Sequence, residues 1–177
     1  LITDRLMAGA DTRATARALA SAAEKLGPFD AVFCGCKAID GETGQVPGEL
    51  AAALGLPCIS NAEKVEAAGD GLLVTRRLED GVQNLTVSRS AMVSFSSYSY
   101  PLRLAGILGM RRARKIPVEI LTAADLGLTP EDCGLKGSLT KVVAMESRFP
   151  GLRRGPKETD LDAGVQNLRV LLREVRP

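Results

Sequence analysis

Residues 33–57 read FCGCKAIDGETGQVPGELAAALGLP, and this stretch decides the fold. The apolar run that ends at Gly35 predicts a buried strand, and Pro47 suits the first turn of a helix that ends near Gly55. The polar segment between them, residues 36–46, is then the loop of a strand–loop–helix unit. Such a loop either cradles an anionic ligand or simply caps the helix, and the residues alone favour neither interpretation.

The segment before this stretch predicts a helix that leads into the same strand. Asp11 and Thr12 are both typical N-cap residues, and residues 13–26 are alanine-rich with an apolar helical period. Helix, strand, loop, helix and strand in this order predict a parallel sheet with right-handed crossovers. Because open α/β sheets bind ligands outside the carboxyl ends of their strands, the loop at 36–46 is the candidate binding site.

The physical case for a phosphate ligand rests on the backbone of this loop. The first N–H groups of a helix are unpaired and the helix dipole is positive there, so phosphate is a natural guest. Gly41 and Gly44 allow the backbone to approach a ligand closely, and Thr43 and Gln45 can donate side-chain hydrogen bonds. No lysine follows at the spacing of a P-loop, so we expect no phosphoryl transfer.

Beyond residue 60 the pattern changes to short strands separated by tight turns. Glycine-containing turns at residues 69–71 and 79–81 predict an antiparallel hairpin element. Residues 91–95 predict a further strand of the same antiparallel, half-exposed kind. Residues 118–122 predict one more strand.

The C-terminal part predicts an arm rather than core. Residues 148–159 are rich in proline, glycine and charge, which is typical of an extended connector. The last helix carries one apolar face, formed by Val165, Leu168, Leu171, Leu172 and Val175. We therefore expect an α/β domain over residues 1–145 and a C-terminal arm and helix over residues 146–177.

Composition excludes several classes of function. The chain of 177 residues has no histidine, so it contains no Ser-His-Asp triad, no Cys-His pair and no histidine-ligated metal, and we predict neither catalytic nor metal-ligating residues. A net charge of +2 does not indicate a nucleic-acid partner. No run is apolar enough to span a bilayer, so we predict no membrane insertion.

The cysteines and the first residues carry two further expectations. Four cysteines without CxxC spacing predict free thiols in a reducing compartment. We expect the protein in the cytoplasm of a bacterium or, in a eukaryote, in the mitochondrial matrix. Leu1, Ile2 and Thr3 read as the tail of a strand already under way. We therefore expect the natural protein to extend further toward its N-terminus.

Five stretches, in order along the chain, resemble the electron transfer flavoprotein β subunit. Residues 35–46 resemble the adenine-nucleotide loop of that family. The others resemble its helix-opening segment, its hairpin signature, its basic segment with the strand that follows, and a later serine- and threonine-containing stretch: residues 8–12, 74–81, 111–119 with 124–127, and 137–142. In the last stretch Leu139 stands where the family usually has proline.

The resemblance implies a fold and a function. The fold is a parallel-sheet adenine-nucleotide-binding domain, Rossmann-like and of the universal-stress and ATPase-like superfamily, with an antiparallel hairpin element and a C-terminal arm. The function is that of the β subunit of a heterodimer, which binds an adenine nucleotide and docks dehydrogenases so that electrons pass between flavins. The α subunit would hold the electron-carrying FAD, and the arm would pack on it.

The same resemblance assigns cofactor-binding residues and leaves two cofactors. The β subunit holds either a structural AMP or, in electron-bifurcating members that take electrons from NADH, a second FAD. The sequence from Asp40 to Pro47 is closer to the bifurcating pattern, which favours FAD. The residues expected to bind the cofactor are Asp11, Thr12, Ala38, Asp40, Gly41, Glu42, Thr43, Gly44, Gln45 and Val46.

A basic run and the loop before it form a second candidate region. The run Arg111, Arg112, Arg114 and Lys115 is by itself typical of a solvated helix turn. By resemblance, the preceding loop is the family's recognition loop, with Ile107 as the apolar anchor of a partner such as an acyl-CoA dehydrogenase or a related flavin dehydrogenase. An exposed aliphatic residue beside basic residues suits such docking.

Two alternative functions stay open at the level of the sequence. One is a stand-alone adenine-nucleotide-binding module of the universal-stress type, without electron transfer; the C-terminal arm and helix argue against it. The other is an enzyme that activates a carboxylate by adenylation. That chemistry requires a loop for the leaving pyrophosphate, with lysine or several serines, which the sequence does not show.

Overall fold

The computed structural model describes residues 1–88, 90–97, 99–144, 146 and 158–174. Its helices are α1 (Thr12–Leu26), α2 (Val46–Ala53), α3 (Ile107–Ala113), α4 (Gly134–Gly137) and α5 (Leu161–Glu174), and its strands are β1 (Ala31–Gly35), β2 (Cys58–Ala68), β3 (Gly71–Leu78), β4 (Gly81–Val87) and β5 (Ala91–Phe95). Short 3₁₀ turns lie at Arg5–Met7, Ala124–Leu126 and Pro130–Asp132. None of the helices in these ranges is both long and apolar enough to cross a membrane.

The five strands form one mixed sheet in the order β1-β5-β2-β3-β4. β1 and β2 both pair in parallel with β5, whereas β2, β3 and β4 pair antiparallel through two tight turns. The sheet is therefore parallel on the side of the candidate loop and antiparallel on the other side. The predicted α/β fold class, with a parallel sheet and an antiparallel hairpin element, is confirmed.

The prediction for residues 91–95 is wrong. The sequence predicted a half-exposed antiparallel strand, but β5 is parallel to both of its neighbours and lies at the centre of the parallel part. Ala91, Met92 and Val93 have no exposed surface and Ser94 keeps only 2%. The physical reason is visible in the composition, because a short continuous apolar run is typical of a parallel strand buried on both faces.

The predicted strand at residues 118–122 is also absent. In this segment only Leu121 pairs, in an isolated parallel bridge with Ile2. The backbone N–H of Thr3 donates to the Leu121 carbonyl at 3.0 Å, and the Leu121 N–H donates to the Leu1 carbonyl at 2.8 Å. The two segments thus pair over too few residues to form a strand.

Two apolar clusters form on opposite faces of the sheet. Ala16 and Ala20 of α1 pack with Leu50 and Ala51 of α2 on Met92, so both helices lie on one face of β5. Val93, the next residue of β5, points to the other face, because successive residues of a strand alternate. There it packs with Ile59, Ala62 and Val74. Small alanines let α1 and α2 lie close together, and this closeness brings their N-termini side by side.

The segment that follows α3 packs against the start of the chain through α4. Gly134 has a φ of 53°, and an added Cβ there would collide with the carbonyl oxygens of Leu6 and Ala8. Glycine is therefore required at this position. The contact fixes residues 133–140 beside the loop that leads into α1.

The C-terminal residues form a second compact unit, Val142–Pro177, separate from the first unit, Leu1–Lys141. Its described residues include α5, which Asp160 caps by accepting a hydrogen bond from the Ala163 N–H at 2.9 Å. Most of the predicted connector, residues 148–157, lies outside the described residues, as does Val175 of the predicted apolar face.

Candidate functional site

The candidate loop leaves the carboxyl end of the parallel part of the sheet. The Cys36 N–H still donates to the Phe95 carbonyl of β5 at 2.9 Å, so the loop begins at the last parallel pair. It ends at Gln45, the residue before α2. The structure thus places residues 36–45 at the sheet edge where α/β folds bind ligands.

The loop folds back on itself through one turn. The Glu42 N–H donates to the Ala38 carbonyl at 3.0 Å, and Asp40 accepts from the Gly41 N–H at 2.8 Å. Glu42 and Gly44 have positive φ angles of 50° and 65°. A Cβ on Gly44 would lie 3.5 Å from the Cys36 carbonyl oxygen, so this part of the loop runs close to the end of β1.

The N-terminus of α2 carries free hydrogen-bond donors. Gln45 occupies the N-cap position without making a side-chain cap bond, and Pro47 contributes no N–H. The first N–H groups of α2 are left to solvent or to a ligand. Glu49, in the first turn of α2, has one carboxylate oxygen that is buried and has no hydrogen-bond partner in the described part of the chain.

The start of α1 meets the start of α2. The Thr12 hydroxyl lies 3.1 Å from Gln45 Oε1 and 3.2 Å from Glu49 Oε1, and its single hydrogen is shared between these two acceptors. The prediction that Thr12 reaches the same sheet edge as the loop agrees with this geometry. Thr12 contacts the last residue of the loop and the first turn of the helix behind it.

Both carboxylate oxygens of Asp11 accept hydrogen bonds from donors outside the loop. One carboxylate oxygen accepts from the Ala14 N–H at 2.9 Å, which is the N-cap bond of α1. The other accepts from the Leu139 N–H at 2.8 Å, the Thr140 N–H at 2.9 Å and the Thr140 hydroxyl at 3.1 Å. The Asp11 N–H donates to Ser138 Oγ at 2.8 Å. Asp11 therefore joins α1 to a segment almost 130 residues away along the chain.

These hydrogen bonds determine the ionisation of Asp11. Desolvation by burial acts to raise the pKa of this carboxyl, but the donors on Ala14, Thr140 and Leu139 together outweigh it. The result is a pKa lowered from 3.8 to about 2. The ionised form is the one that holds the junction together.

Known proteins match this chain over most of its length. Residues 1–126 match the model of the electron transfer flavoprotein domain. The chain belongs to the electron transfer flavoprotein family. The resemblance to its β subunit is confirmed by relatives that align over most of the chain.

Three relatives show how far the similarity extends. The electron transfer flavoprotein subunit beta of Thermoanaerobacterium thermosaccharolyticum is 43% identical over 95% of this chain and 65% of its own length. Protein FixA of Rhizobium meliloti is 35% identical over 96% of this chain and 60% of its own length. The caffeyl-CoA reductase-Etf complex subunit CarD of Acetobacterium woodii is 34% identical over 80% of this chain and 54% of its own length. The chain thus spans between half and two thirds of these relatives.

The predicted cofactor-binding residues of this electron transfer flavoprotein chain fall into two groups. The loop residues and Thr12 come together at the two helix starts. Asp11 lies next to them, but its carboxylate bonds the protein itself. Ala38, Asp40, Gly41, Glu42, Thr43, Gly44 and Gln45 are all exposed. Their contact with a nucleotide stays a prediction.

Sequence reasoning missed four residues that build this edge. Lys37 pairs with Glu42, Glu49 meets Thr12, and Ser138 and Thr140 bond Asp11. Helical spacing could have identified Glu49, since it lies in the first turn after Pro47. Nothing local marks residues 138–140 as partners of Asp11.

The predicted docking residues lie on and just after α3. Arg111 and Arg112 occupy its last turn, where positive charge complements the helix dipole, and Arg114 and Lys115 continue the exposed basic run. Ile107 opens the helix and is 67% exposed. The structure places the apolar and basic residues of this segment on one short exposed element.

Cys34, which lies just before the loop, packs against the apolar cluster between the helices and the sheet. Burial raises the pKa of the Cys34 thiol, with a further contribution from the nearby Cys58 and Cys36 thiols, and Cys34 Sγ contacts Met92 Sδ at 3.7 Å. Within the described ranges no three His, Cys, Asp or Glu side chains are arranged to hold a metal ion. Cys34 therefore fills space under α2.

Replacement of Asp11 tests the junction between α1 and residues 138–140. Asn can still cap α1, but its amide nitrogen cannot accept from Leu139 and Thr140. We expect Asp11→Asn to lower the free energy of unfolding at neutral pH by about 1–3 kcal/mol, since hydrogen bonds to a charged group are lost. Chemical denaturation measures this change, with Asp80→Asn in the exposed β3–β4 turn as the control.

The pH dependence adds a second check on Asp11. Because the folded pKa is lowered, the stabilisation is complete above the unfolded value of 3.8 and is lost as the pH falls through about 2. The difference in unfolding free energy between wild type and Asp11→Asn should therefore shrink over this window. An unchanged difference between pH 5 and pH 2 would contradict the account.

Proposed function

We propose that this chain is the nucleotide-binding part of the β subunit of a heterodimeric electron transfer flavoprotein. It binds an adenine nucleotide, FAD or AMP, in the loop from Ala38 to Val46, and it docks dehydrogenases so that electrons pass between flavins. Family membership over residues 1–126 supports this proposal at the level of the whole protein. The geometry of the α2 start supports it at the level of the site.

The observation that carries the proposal is the set of free N–H donors at the α2 start. Gln45 leaves this helix end without a side-chain cap, and Gly44 brings the loop close to the end of β1. A nucleotide offers phosphate oxygens to these donors, so the helix start fits such a ligand.

Each residue of the site has a role in binding rather than in bond making. Thr43 and Gln45 would hydrogen-bond phosphate and ribose, and Ala38 would lie beside the adenosine. Thr12 would hold Gln45 and Glu49 in place from α1. If the nucleotide is FAD, the flavin supplies the redox chemistry, and the protein binds it, orients it and sets its potential.

The choice between FAD and AMP rests on the part of the ligand beyond the adenosine. Both nucleotides share the group that the loop would bind. The sequence from Asp40 to Pro47 favours FAD. Relatives with 34% and 32% identity are named as a caffeyl-CoA reductase-Etf complex subunit and as an electron transfer subunit of acryloyl-CoA reductase. We therefore propose FAD for this subunit and a further FAD in the α subunit.

The C-terminal unit is proposed to bind the α subunit. Its helix α5 is amphipathic, with Val165, Leu168 and Leu171 on one side at helical spacing. An amphipathic helix at the end of an arm buries its apolar side on another surface, and the α subunit is the partner that the family supplies.

Nucleotide content tests the proposed function. We would produce the full-length protein with its α partner, denature the complex and count FAD and AMP per heterodimer. Two FAD and no AMP are expected. One FAD with one AMP would keep the loop as a nucleotide site but make it structural. Absence of any adenine nucleotide from the β subunit would overturn the proposal.

The α3 segment is proposed as the dehydrogenase-docking surface. Ile107 would enter an apolar pocket of the partner, and the basic residues from Arg111 to Lys115 would steer the encounter. Long-range steering by charge acts mainly on the association rate and weakens as salt is added.

Charge reversal tests this docking surface. We expect Arg112→Glu to slow electron transfer from an acyl-CoA dehydrogenase roughly tenfold at low ionic strength, with the difference shrinking at high salt. Stopped-flow reduction of the heterodimer measures the rate. Arg5→Glu, at another exposed position, serves as the control. Equal rates for Arg112→Glu and Arg5→Glu would exclude α3 as the docking surface.

A further inference from the structure

The candidate loop has an unfavourable charge for a phosphate ligand. Between Cys36 and Glu49 the sequence contains one cation, Lys37, and three carboxylates, on Asp40, Glu42 and Glu49. A phosphate bound at the start of α2 would lie among these carboxylates. Backbone N–H groups and the helix dipole attract it, but like charges at such distances repel it. Lys37 is the cation within this stretch that can offset the repulsion.

In the structure that cation is engaged elsewhere. Lys37 Nζ lies 3.3 Å from Glu42 Oε1, in an ion pair whose side chains are 47% and 61% exposed. Exposed ion pairs of this kind contribute little to stability, so they exchange partners at small cost. Glu42 is held by the backbone, because its N–H bonds the Ala38 carbonyl at 3.0 Å.

The position of the pair connects it to the α2 start. Lys37 follows Cys36, whose carbonyl oxygen lies against Gly44, and Glu42 lies two residues before Gly44. The ion pair thus bridges the two ends of the turn directly before the free N–H groups of α2. A lysine stem is long and flexible enough to move its ammonium group from one anion to another within this space.

We propose that Lys37 is a phosphate-binding residue and that, in the absence of ligand, the Glu42 carboxylate pairs with Lys37 in place of the phosphate. This inference rests on the proposed nucleotide site and adds to it. When the nucleotide binds, the Lys37 ammonium leaves the Glu42 carboxylate and pairs with the phosphate, and Glu42 turns to solvent. No covalent bond changes. Because of this exchange, the affinity of the site for a nucleotide depends on the phosphate group of the ligand and on the charge of residue 42.

Calorimetric titration with two probes tests the exchange. Full-length protein with its α partner, stripped of nucleotide, is titrated with AMP and separately with adenosine, which lacks the phosphate. Lys37→Gln should weaken AMP binding about tenfold or more, as expected for loss of a charge-assisted hydrogen bond, and leave adenosine binding unchanged. The control is Lys64→Gln, which breaks a comparable exposed pair with Glu66 on β2.

The acidic partner gives a prediction of opposite sign. Glu42→Gln releases Lys37 and removes one repelling charge, so AMP should bind about two- to fivefold more tightly at low salt, and the gain should shrink at high salt. A variant that only distorted the loop would weaken binding of both probes. Tighter AMP binding with unchanged adenosine binding would therefore support the exchange.

The outcomes separate this inference from the proposed function. Suppose that the wild type binds AMP. If Lys37→Gln binds AMP equally well, or if its affinities for AMP and for adenosine fall by the same factor, the role of Lys37 is overturned while the nucleotide site stands. If the wild type binds neither AMP nor adenosine, both the site and the role of Lys37 are overturned.

Discussion

The parallel pairing of β1 and β2 with β5 is the constraint on which the rest of the structure depends. β5 is buried on both faces, as is typical of a central strand in a parallel sheet, and both of its neighbours run parallel to it. Because β1 runs parallel to β5, the loop that follows β1 emerges at the carboxyl edge of the sheet. The alanine contacts of α1 and α2 on Met92 then bring both helix N-termini to that edge. The candidate site is a consequence of this packing.

A chain of polar contacts holds the edge together. Residues 138–140 bond Asp11, Asp11 caps α1, and Thr12 reaches Gln45 and Glu49 at the start of α2. The loop is thereby anchored at its second end to a segment that follows α4. A nucleotide-binding loop gains from such support, because a preorganised site loses less conformational entropy on binding. Asp11 supports the start of α1, and both of its carboxylate oxygens already accept hydrogen bonds from the protein.

The sequence predicted the local parts of this arrangement well. Pro47 lies in the first turn of α2, Gly55 follows the end of that helix, and Asp11 caps α1. Most of the stretches that carried the family resemblance lie within residues 1–126, which the family model matches, whereas residues 137–142 lie beyond them. The sequence-based prediction failed where pairing between residues far apart in the sequence decides the structure. The pattern of residues 91–95 does not reveal which strands flank them, and residues 118–122 have strand-forming side chains but only one bridge partner. The partners of Asp11 and the ion pair of Lys37 depend on how the chain folds back, which no local period encodes.

Hydrogen exchange of the full-length heterodimer, with and without AMP, tests the central claim most directly. The claim is that the loop from Ala38 to Val46 and the first turn of α2 bind the nucleotide. The account predicts that AMP slows amide exchange at residues 43–46, because their N–H groups gain phosphate oxygens as partners. Unchanged exchange in this loop, with protection appearing only elsewhere in the complex, would contradict it.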